Sequence, residues 1–360
     1  MFKALLAVAG VPAALASAVL FGASTPLAKL LLGAIDPWLL AGTLYLGAGL
    51  GLAIVRPFLR RLGEEGEEAP LRRADLPWLG AVIFFGGVLA PVLLMLGLAR
   101  TEAAAAALLL NLESLATLAI AWLVFRENVD RRIFAGAMAI LAGALVLSWS
   151  GGSVAPGWGA LAITGACLAW GIDNNLTRKL SAADPVQIAM LKGLVAGPVN
   201  LALALTQGAS LPPLGPLLGG MLVGFLGYGA SLALFILALR HLGTARTGAY
   251  FATAPFVGAI LAVPMFGEPV TFRLLLAGTL MAWGVWLHLT ERHEHEHEHE
   301  LIEHEHLHTH DEHHRHTHGH DDPPAEPHTH RHRHVRLIHR HPHYPDLHHR
   351  HAHEHGEATS

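Results

Sequence analysis

Long apolar stretches dominate the first 290 residues of the chain and recur at nearly regular intervals. An α-helix rises about 1.5 Å per residue, so about 20 apolar residues cross a hydrocarbon core of about 30 Å. Strands of a membrane barrel would be about ten residues long, with apolar and polar residues in alternation. The pattern therefore predicts ten membrane-spanning helices, at residues 11–33, 37–55, 76–99, 103–125, 132–150, 157–180, 184–206, 214–239, 244–266 and 272–290.

The predicted helices fall into two units of five, because three short segments of the first unit reappear in the same order in the second. An odd number of spans per unit makes the second copy enter the membrane in the opposite direction, which is the architecture of many secondary transporters. We expect a first repeat at 11–150 and a second at 157–290, around a shared passage. The aligned pairs are 22–30 with 171–180, Asp36-Pro37 with Asp184-Pro185, and 125–129 with 266–270.

Charge divides the chain into two parts. The first 290 residues carry only 17 basic and 13 acidic side chains, a far smaller share than the quarter or so that is usual in a soluble domain. The remaining residues, 291–360, carry 7 basic and 15 acidic side chains and 25 of the 27 histidines. This tail has almost no Val, Ile or Phe with which to bury a core, so we expect it to be disordered in the absence of metal.

Basic residues concentrate in alternate connections between the predicted spans, and the intervening connections keep only Arg100 and Arg273. The positive-inside rule then places both termini, and with them the tail, in the cytoplasm of a bacterial inner-membrane protein. The basic residues on that side are Arg56, Arg60, Arg61, Arg72, Arg73, Arg126, Arg131, Arg132, Arg178, Lys179, Arg240 and Arg246.

A charged side chain in the middle of a span costs about 2.5–3.5 kcal/mol or more, so each one requires a reason. Glu113, near the centre of the fourth span, is the first candidate for proton coupling, because a carboxylate in a cavity of low dielectric can load and release a proton. The alternative is a hydrogen bond to a neighbouring helix. Asn111 is a second candidate, but on an ideal helix it points about 200° away from Glu113, so we do not expect the two to share a face.

The sixth span carries a polar cluster that includes Asp173 and Asn174. We expect Asp173 either to contact a cation or to pair with Lys192 of the seventh span. The alternative is a cluster at the membrane interface, paired with Arg178. Lys192 either keeps a carboxylate ionised or extends its ammonium group to the membrane surface. Further candidates for lining the pathway, with simple packing as the alternative, are Asn200, Tyr228 and Tyr250.

The histidine-rich tail predicts binding of a divalent transition metal such as Ni, Co or Zn, because imidazole is a common ligand of these ions. Histidines four residues apart could hold a metal on a helical turn, and a flexible chain could close any three or four around an ion. His288, late in the tenth span, either passes metal from the tail to the pore or is a satisfied interfacial histidine. The predicted ligands are His288, His293, His295, His297, His299, His304, His306, His308, His310, His313, His314, His316, His318 and His320.

These motifs resemble the drug/metabolite transporter superfamily, specifically its ten-helix branch with two EamA domains. Two departures from the family pattern are visible. The basic residue that follows the Pro by seven positions is present as Lys192 in the second unit, whereas the first unit has Leu44 there. The Glu-Pro pair of the fourth helix is split, since the first unit has Glu113-Ser114 and the second has Ala254-Pro255. The matching residues are Lys29 and Arg178 at the ends of the first helices, Asp36-Pro37 and Asp184-Pro185 at the starts of the second, and Glu127 and Glu268 after the fourth.

The resemblance implies an all-α integral membrane protein, with ten helices in two inverted EamA-like repeats, and a proton- or solute-coupled exporter. Some members are associated with nickel and cobalt resistance, so metal efflux is the favoured hypothesis. One alternative is an amino-acid, metabolite or drug exporter whose tail only buffers or senses metal, and another is a membrane metal store that transports nothing. We expect no enzymatic activity, no required cofactor and no nucleic-acid partner; the expected partners are the lipid bilayer, a small solute or metal ion, protons, and a second copy of the chain in a homodimer.

Overall fold

The structure is a computed structural model that describes residues 10–62, 71–125, 131–148, 157–181 and 183–290, together with four short segments of the tail. The membrane body in these ranges is entirely helical, which confirms the predicted fold class. The first repeat contains α1 (Val11–Leu31), α2 (Pro37–Leu62), α3 (Leu76–Val82), α4 (Ala90–Leu98), α5 (Ala103–Leu109), α6 (Leu112–Phe125) and α7 (Arg131–Ser148). A 3-10 turn, Arg73–Asp75, precedes α3.

The second repeat contains α8 (Trp158–Leu180), α9 (Pro185–Thr206), α10 (Leu214–Gly224), α11 (Ser231–Phe251), α12 (Ala254–Phe266) and α13 (Phe272–Leu289). A π-helical segment joins α3 to α4 (Ile83–Leu89), and another joins α10 to α11 (Phe225–Ala230). The two π segments occupy equivalent places in the two repeats. In a π turn the backbone hydrogen bonds are shifted by one residue, and such turns are frequent at functional sites.

Nine helices among the described residues are long and apolar enough to cross a membrane. The remaining predicted span is the 23-residue helix α8, whose polar residues Asp173, Asn174, Asn175, Arg178 and Lys179 lower its hydropathy. Its length of about 34 Å, at about 1.5 Å per residue, is nevertheless sufficient to cross a bilayer. The helix α8, which is too polar to be counted with the other nine, is therefore the one that brings most polar groups into the protein interior.

Helix packing follows the two-fold relation between the repeats. On the axis, α2 packs against its equivalent α9, and α7 packs against its equivalent α13. Off the axis, α1 packs against α11 and α12, as α8 packs against α4 and α6. Glycines allow the axial pairs to approach closely: a Cβ at Gly49 would meet the backbone of Gly193, and a Cβ at Gly284 would meet the carbonyl of Gly136.

We refer to the membrane side at which α13 ends as the tail side, and to the opposite side as the far side. Contacts between helix ends agree with spans that alternate in direction. On the tail side, the Arg56 guanidinium at the end of α2 pairs with Asp184 at the start of α9, at 2.7 Å. On the far side, Lys29 at the end of α1 reaches the end of α4.

The predicted turn between the eighth and ninth spans falls within α11, where the chain reverses direction. The Phe235 and Phe251 rings lie only 4.8 Å apart between centroids, whereas 16 residues of straight helix would span about 24 Å. One predicted span differs from the structure. The predicted fourth span is interrupted at Leu110–Asn111, between α5 and α6. An equivalent interruption in the second repeat falls at Ala252–Thr253, before α12. Hydropathy does not mark either interruption, because a few polar residues within a long apolar run leave the average over the span high.

The described part of the tail forms two antiparallel strand pairs, β1 (Glu294–Glu298) with β4 (Ile338–Pro342) and β2 (Glu303–His308) with β3 (His328–Arg333). The registers place Glu296 opposite Arg340 and Glu305 opposite Arg331, which are positions of opposite charge that favour antiparallel pairing. The other tail residues lie outside the described part of the chain.

Candidate functional site

A small cavity lies between the two repeats, about midway along the helices. Its volume is about 50 Å³, and an adjoining cavity of about 20 Å³ shares several of its walls. Both are lined by Phe21 of α1, Glu113 of α6, Asn174 of α8, and Phe235 and Phe251 of α11. This space holds only a few water molecules, so a metabolite could bind only if the surrounding helices moved apart.

Glu113 lies in the first turn of α6, directly after the helix interruption at Leu110–Asn111. Its carboxylate accepts a hydrogen bond from the Asn174 side-chain amide at 2.9 Å, and the residue is only 8% exposed. The amino end of a helix carries a partial positive charge, which favours a carboxylate at this position. The interruption therefore both orients Glu113 toward the cavity and supplies part of its electrostatic stabilisation.

A buried ion pair forms the opposite wall of the cavity. The Lys192 ammonium lies 2.5 Å from Asp173 Oδ2, and both side chains are at most 4% exposed. Thr177 donates a second hydrogen bond to the Asp173 carboxylate, at 3.2 Å. Two charges without water require such a pairing, because the desolvation of each alone would cost several kcal/mol. The pair leaves this wall with little net charge.

The π-helical segment Ile83–Leu89 supports this wall from behind. The Gly86 carbonyl accepts hydrogen bonds from the Tyr45 hydroxyl and from the Trp170 indole N–H, the latter at 3.1 Å. The Gly87 carbonyl accepts one from the Asn200 amide at 2.9 Å. A Cβ at Gly86 would overlap the Asp173 carboxylate, so only glycine lets the ion pair approach this backbone.

Six aromatic rings complete the lining of the cavity. Phe21 contacts three of the other rings. Between ring centroids it lies 5.6 Å from Trp170, 5.7 Å from Tyr228 and 5.3 Å from Phe251. Tyr45 contacts Tyr228, and Phe235 contacts Phe251. Ser24 interacts with the buried Tyr228 hydroxyl, but the two do not meet normal hydrogen-bond geometry, so a bound solute could supply a better partner.

The structure brings most of the predicted pathway residues together. Glu113, Asp173, Asn174, Lys192 and Tyr228 line the 50 Å³ cavity. Asp173 pairs with Lys192, which is one of the arrangements that the sequence predicts. The Lys192 ammonium therefore does not extend to the membrane surface, and Asp173 lies in the protein interior rather than at the membrane interface.

Three predicted pathway residues have other positions. Asn111 and Glu113 both line the adjoining cavity, but their side chains contact different helices. The Asn111 amide lies 3.7 Å from Met281 Sδ of α13, whereas the Glu113 carboxylate bonds to Asn174 of α8. Asn200 supports the π segment, and Tyr250 packs with Ala13 and Leu242 outside the lining of both cavities.

The predicted metal ligands are not gathered into a site within the described part of the chain, where no three His, Cys, Asp or Glu side chains are placed to hold an ion. His288 lies between α13 and α7 and makes a hydrogen bond of 3.0 Å with the Ile133 carbonyl. His295 and His297 belong to β1, and His304, His306 and His308 belong to β2. The predicted ligands outside the described residues are His293, His299, His310, His313, His314, His316, His318 and His320.

Sequence reasoning missed five of the six aromatic residues of the cavity, all except Tyr228, and the role of Gly86. Phe21, Tyr45, Trp170 and Phe251 are apolar residues in apolar helices, and nothing in their spacing separates them from residues that face lipid. A weak signal was present for Gly86, since the Gly86-Gly87 pair in a span indicates close contact between helices.

The arrangement is suited to binding one positive charge or one proton. An ionised Glu113 would be the only unpaired charge among the described residues that line the cavity, because Asp173 and Lys192 neutralise each other. The aromatic faces around it favour organic groups and cations.

Comparison with known proteins agrees with the two-repeat architecture. The model of the EamA-like transporter family matches the chain twice, at residues 8–149 and 157–290. A protein of Methanothermobacter thermautotrophicus named "Uncharacterized transporter" is 30% identical over 284 residues, which cover 75% of this chain and 82% of the relative. A solved structure described only as a crystal structure of a protein is similar in fold, with a TM-score of 0.60 and 21% identity over 76% of this chain and 94% of that chain.

Proposed function

The chain belongs to the EamA-like transporter family, and from this premise we propose that it is a secondary active exporter of a small solute, coupled to proton antiport at Glu113. The family is one of transporters, which argues against an enzymatic role. In this proposal the protein lies in a bacterial inner membrane, with both termini and the tail in the cytoplasm. Solute leaves from the tail side to the far side while a proton moves the other way.

The single observation that carries the proposal is the position of Glu113 in a cavity between two inverted repeats. Inverted repeats can expose a central site to each side of the membrane in turn. A carboxylate in that site binds either a proton or a cationic solute, so the two compete, and competition for one site couples their movements. The hydrogen bond from Asn174 keeps Glu113 directed into the cavity in either state.

The chemistry of the cavity favours an organic solute over a bare metal ion as the cargo. Six aromatic rings would contact an organic solute over a large area, whereas a transition metal requires several nitrogen, sulfur or oxygen ligands at about 2 Å. An organic solute with an ammonium group, such as an amino acid, fits this chemistry, with its ammonium group at Glu113 and its apolar part against the aromatic rings. The hypothesis of an amino-acid or metabolite exporter is therefore better supported than the hypothesis of metal efflux.

The tail is proposed to bind cytoplasmic transition metal and to buffer or sense it. The support is its chemistry, since 25 histidines occur in 70 residues and imidazole suits Ni, Co, Zn and Cu(II). Removal of the tail, by a truncation after residue 290, should abolish stoichiometric metal binding in equilibrium dialysis of the purified protein. Metal binding that persists undiminished in the truncated protein would place the ligands in the membrane body and would restore metal as a candidate cargo.

Solute transport is tested in proteoliposomes that carry a pH gradient and an entrapped pH-sensitive dye. Candidate amino acids and Ni, Co and Zn salts are offered in turn, and a true cargo should dissipate the gradient. In Glu113→Gln this coupled flux should fall to the level of empty liposomes, because Gln cannot carry the proton.

The matched control is Glu102→Gln, which removes the same charge from an exposed position on the far side and should keep the flux. Coupled flux that is unchanged in Glu113→Gln would exclude Glu113 as the coupling residue. If no candidate moves protons in the wild-type protein while the solute still equilibrates, the antiport proposal is wrong.

A further inference from the structure

A seven-residue segment on the far side, residues 98–104, is held by one charged side chain from each repeat. The Lys29 ammonium, at the end of α1, donates to the carbonyl oxygens of Leu98 at 2.6 Å and Thr101 at 2.8 Å. The Glu268 carboxylate, between α12 and α13, accepts hydrogen bonds from the amides of Ala103 at 2.6 Å and Ala104 at 2.9 Å. Charge-assisted hydrogen bonds of this kind are the strong ones.

The two charges match the helix ends that they contact. Lys29 lies at the carboxyl end of α4, where the partial charge of the helix is negative. Glu268 lies at the amino end of α5, where the partial charge is positive. Each side chain also satisfies backbone groups that have no partner within their own helix. The segment is therefore secured by two independent interactions.

The held segment leads into a separate piece of helix. α5 is only seven residues long, and it is bounded by residues 99–102 on one side and by the interruption at Leu110–Asn111 on the other. Glu113 follows in the first turn of α6. Because the helix is interrupted between them, α5 can shift without a shift of α6 and its carboxylate.

The equivalent stretch of the second repeat is the last part of α11, which follows the reversal of the chain and ends at the interruption before α12. On the tail side, Arg240 of α11 donates to the carbonyls of Ser181, at 3.0 Å, and Ala183, at 2.9 Å. The tail side is therefore held by a guanidinium on backbone carbonyls, whereas the far side is held by Lys29 and Glu268 together.

Small residues line the contact between α5 and its neighbours. α5 packs against α12 and α1, and a Cβ at Gly258 would lie 3.0 Å from Ala107 and 2.9 Å from the Gly22 carbonyl. Surfaces of Gly and Ala slide or separate without the disengagement of large side chains. The cavity lies behind this contact, since Phe21, Leu110 and Ala254 form part of its wall.

We propose that Lys29 and Glu268 are the exit-gate residues of the transport cycle, which hold α5 over the far side of the cavity and release it to let the solute out. The proposal rests on the function proposed above, because a gate has a purpose only in a transporter. It assigns the exit to the contact of α5 with α1 and α12, and it assigns the opening movement to α5.

The gate is tested by labelling of a cysteine in the cavity wall. Cys167→Ala removes the native thiol, and Ser114→Cys introduces a reporter beside Glu113, where Ser114 lines the cavity. A membrane-impermeant thiol reagent is applied to one side of sealed vesicles of known orientation. Lys29→Met and Glu268→Gln should each raise the labelling rate from the far side about tenfold, because each removes a strong restraint on the closed state.

Matched controls come from the same surface. Arg100→Met and Asp36→Asn remove a basic and an acidic charge from exposed residues of the far side, and they should change the rate less than twofold. Labelling from the tail side should be unchanged in all four variants. Equal far-side rates in the wild type, Lys29→Met and Glu268→Gln would overturn the proposal.

A second measurement covers the case in which the substituted proteins unfold, which would raise labelling from both sides. Lys29→Cys and Thr101→Cys, combined with Cys167→Ala and joined by a short bismaleimide, should lock the gate and reduce solute flux at least tenfold. Undiminished flux in the crosslinked protein would reject the gate. If the labelling rates change as expected but no solute or proton flux occurs in the wild-type protein, the exporter function fails instead.

Discussion

The two repeats share a backbone plan but not the chemistry of the cavity. In the aligned repeats, Glu113 of the first is matched by Ala254 of the second, while Asp173 and Lys192 of the second are matched by Ser24 and Leu44 of the first. The close contacts of the backbone are nonetheless present in both repeats. A Cβ at Gly86 of the first repeat would meet Asp173, and a Cβ at the equivalent Gly227 of the second would meet Ser24, the residue that matches Asp173. The helix interruptions and the π segments also occur in both repeats.

The difference follows from the position of the cavity between the repeats. A site between two inverted units is lined by both, so one copy of each charged group is sufficient. A second carboxylate opposite Glu113 would face it across a cavity of about 50 Å³, where repulsion between like charges is strong. Duplication therefore supplies the fold twice, while each charged group of the site is present in one repeat only.

The largest expected effect tests the buried ion pair that only the second repeat has. Asp173→Asn or Lys192→Met leaves one buried charge without its partner, which should lower the free energy of unfolding by about 3–5 kcal/mol. Chemical denaturation in detergent micelles measures the loss. A change below about 1 kcal/mol for both variants would show that the pair is not ionised.

The double variant Asp173→Ser with Lys192→Leu sharpens the comparison, because it gives the second repeat the residues of the first. Replacement of a buried ion pair by neutral residues is often close to neutral in stability. We therefore expect the double variant to recover most of the stability of the wild type. A double variant as unstable as the single ones would contradict the interpretation of the pair as a mutually neutralising unit.

A smaller effect is expected at the glycine that admits this pair. Gly86→Ala places a methyl group in the space of the Asp173 carboxylate and should cost about 1–3 kcal/mol in unfolding free energy. Gly80→Ala, in α3, is the matched control, since a Cβ at Gly80 would meet nothing within 4 Å. The control should be neutral or should stabilise the helix by up to about 1 kcal/mol, and a Gly86→Ala protein as stable as the control would contradict the close approach.

The smallest effect compares two helix starts with the same sequence, Asp-Pro. Asp36 accepts hydrogen bonds from the amides of Trp38 and Leu39, and Asp184 accepts them from Val186 and Gln187. Asp184 additionally pairs with Arg56. Asp36→Ala should cost about 1 kcal/mol for the lost cap, and Asp184→Ala about 2 kcal/mol for the cap and the ion pair together. Equal losses in thermal or chemical unfolding would show that the Arg56 pair contributes nothing.

Much of the fold and part of the site could be predicted because their signals are local in the chain. Glu113, Asp173 and Lys192 stand out as charges within apolar runs, and the Asp-Pro starts of α2 and α9 were recognised from two residues each. Apart from Tyr228, the aromatic lining could not be predicted, because residues such as Phe21 and Phe251 lie 230 positions apart in the chain and resemble lipid-facing residues. Lys29 and Glu268 were matched by family resemblance, but the segment that they hold became visible only in the structure.

The sequence by itself determined that the chain crosses a membrane about ten times in two inverted units and that a few charges lie at membrane depth, since apolar length and residue order carry this information. Only the tertiary structure decided which of those charges meet. The 2.5 Å pair of Lys192 with Asp173, 19 residues apart on successive helices, and the bond between Asn174 and Glu113, 61 residues apart, both depend on how the helices pack against each other. The physical reason is that a buried polar group takes its partner from whichever helix packs beside it, and that packing is set by contacts along whole helix faces rather than by any local run of residues.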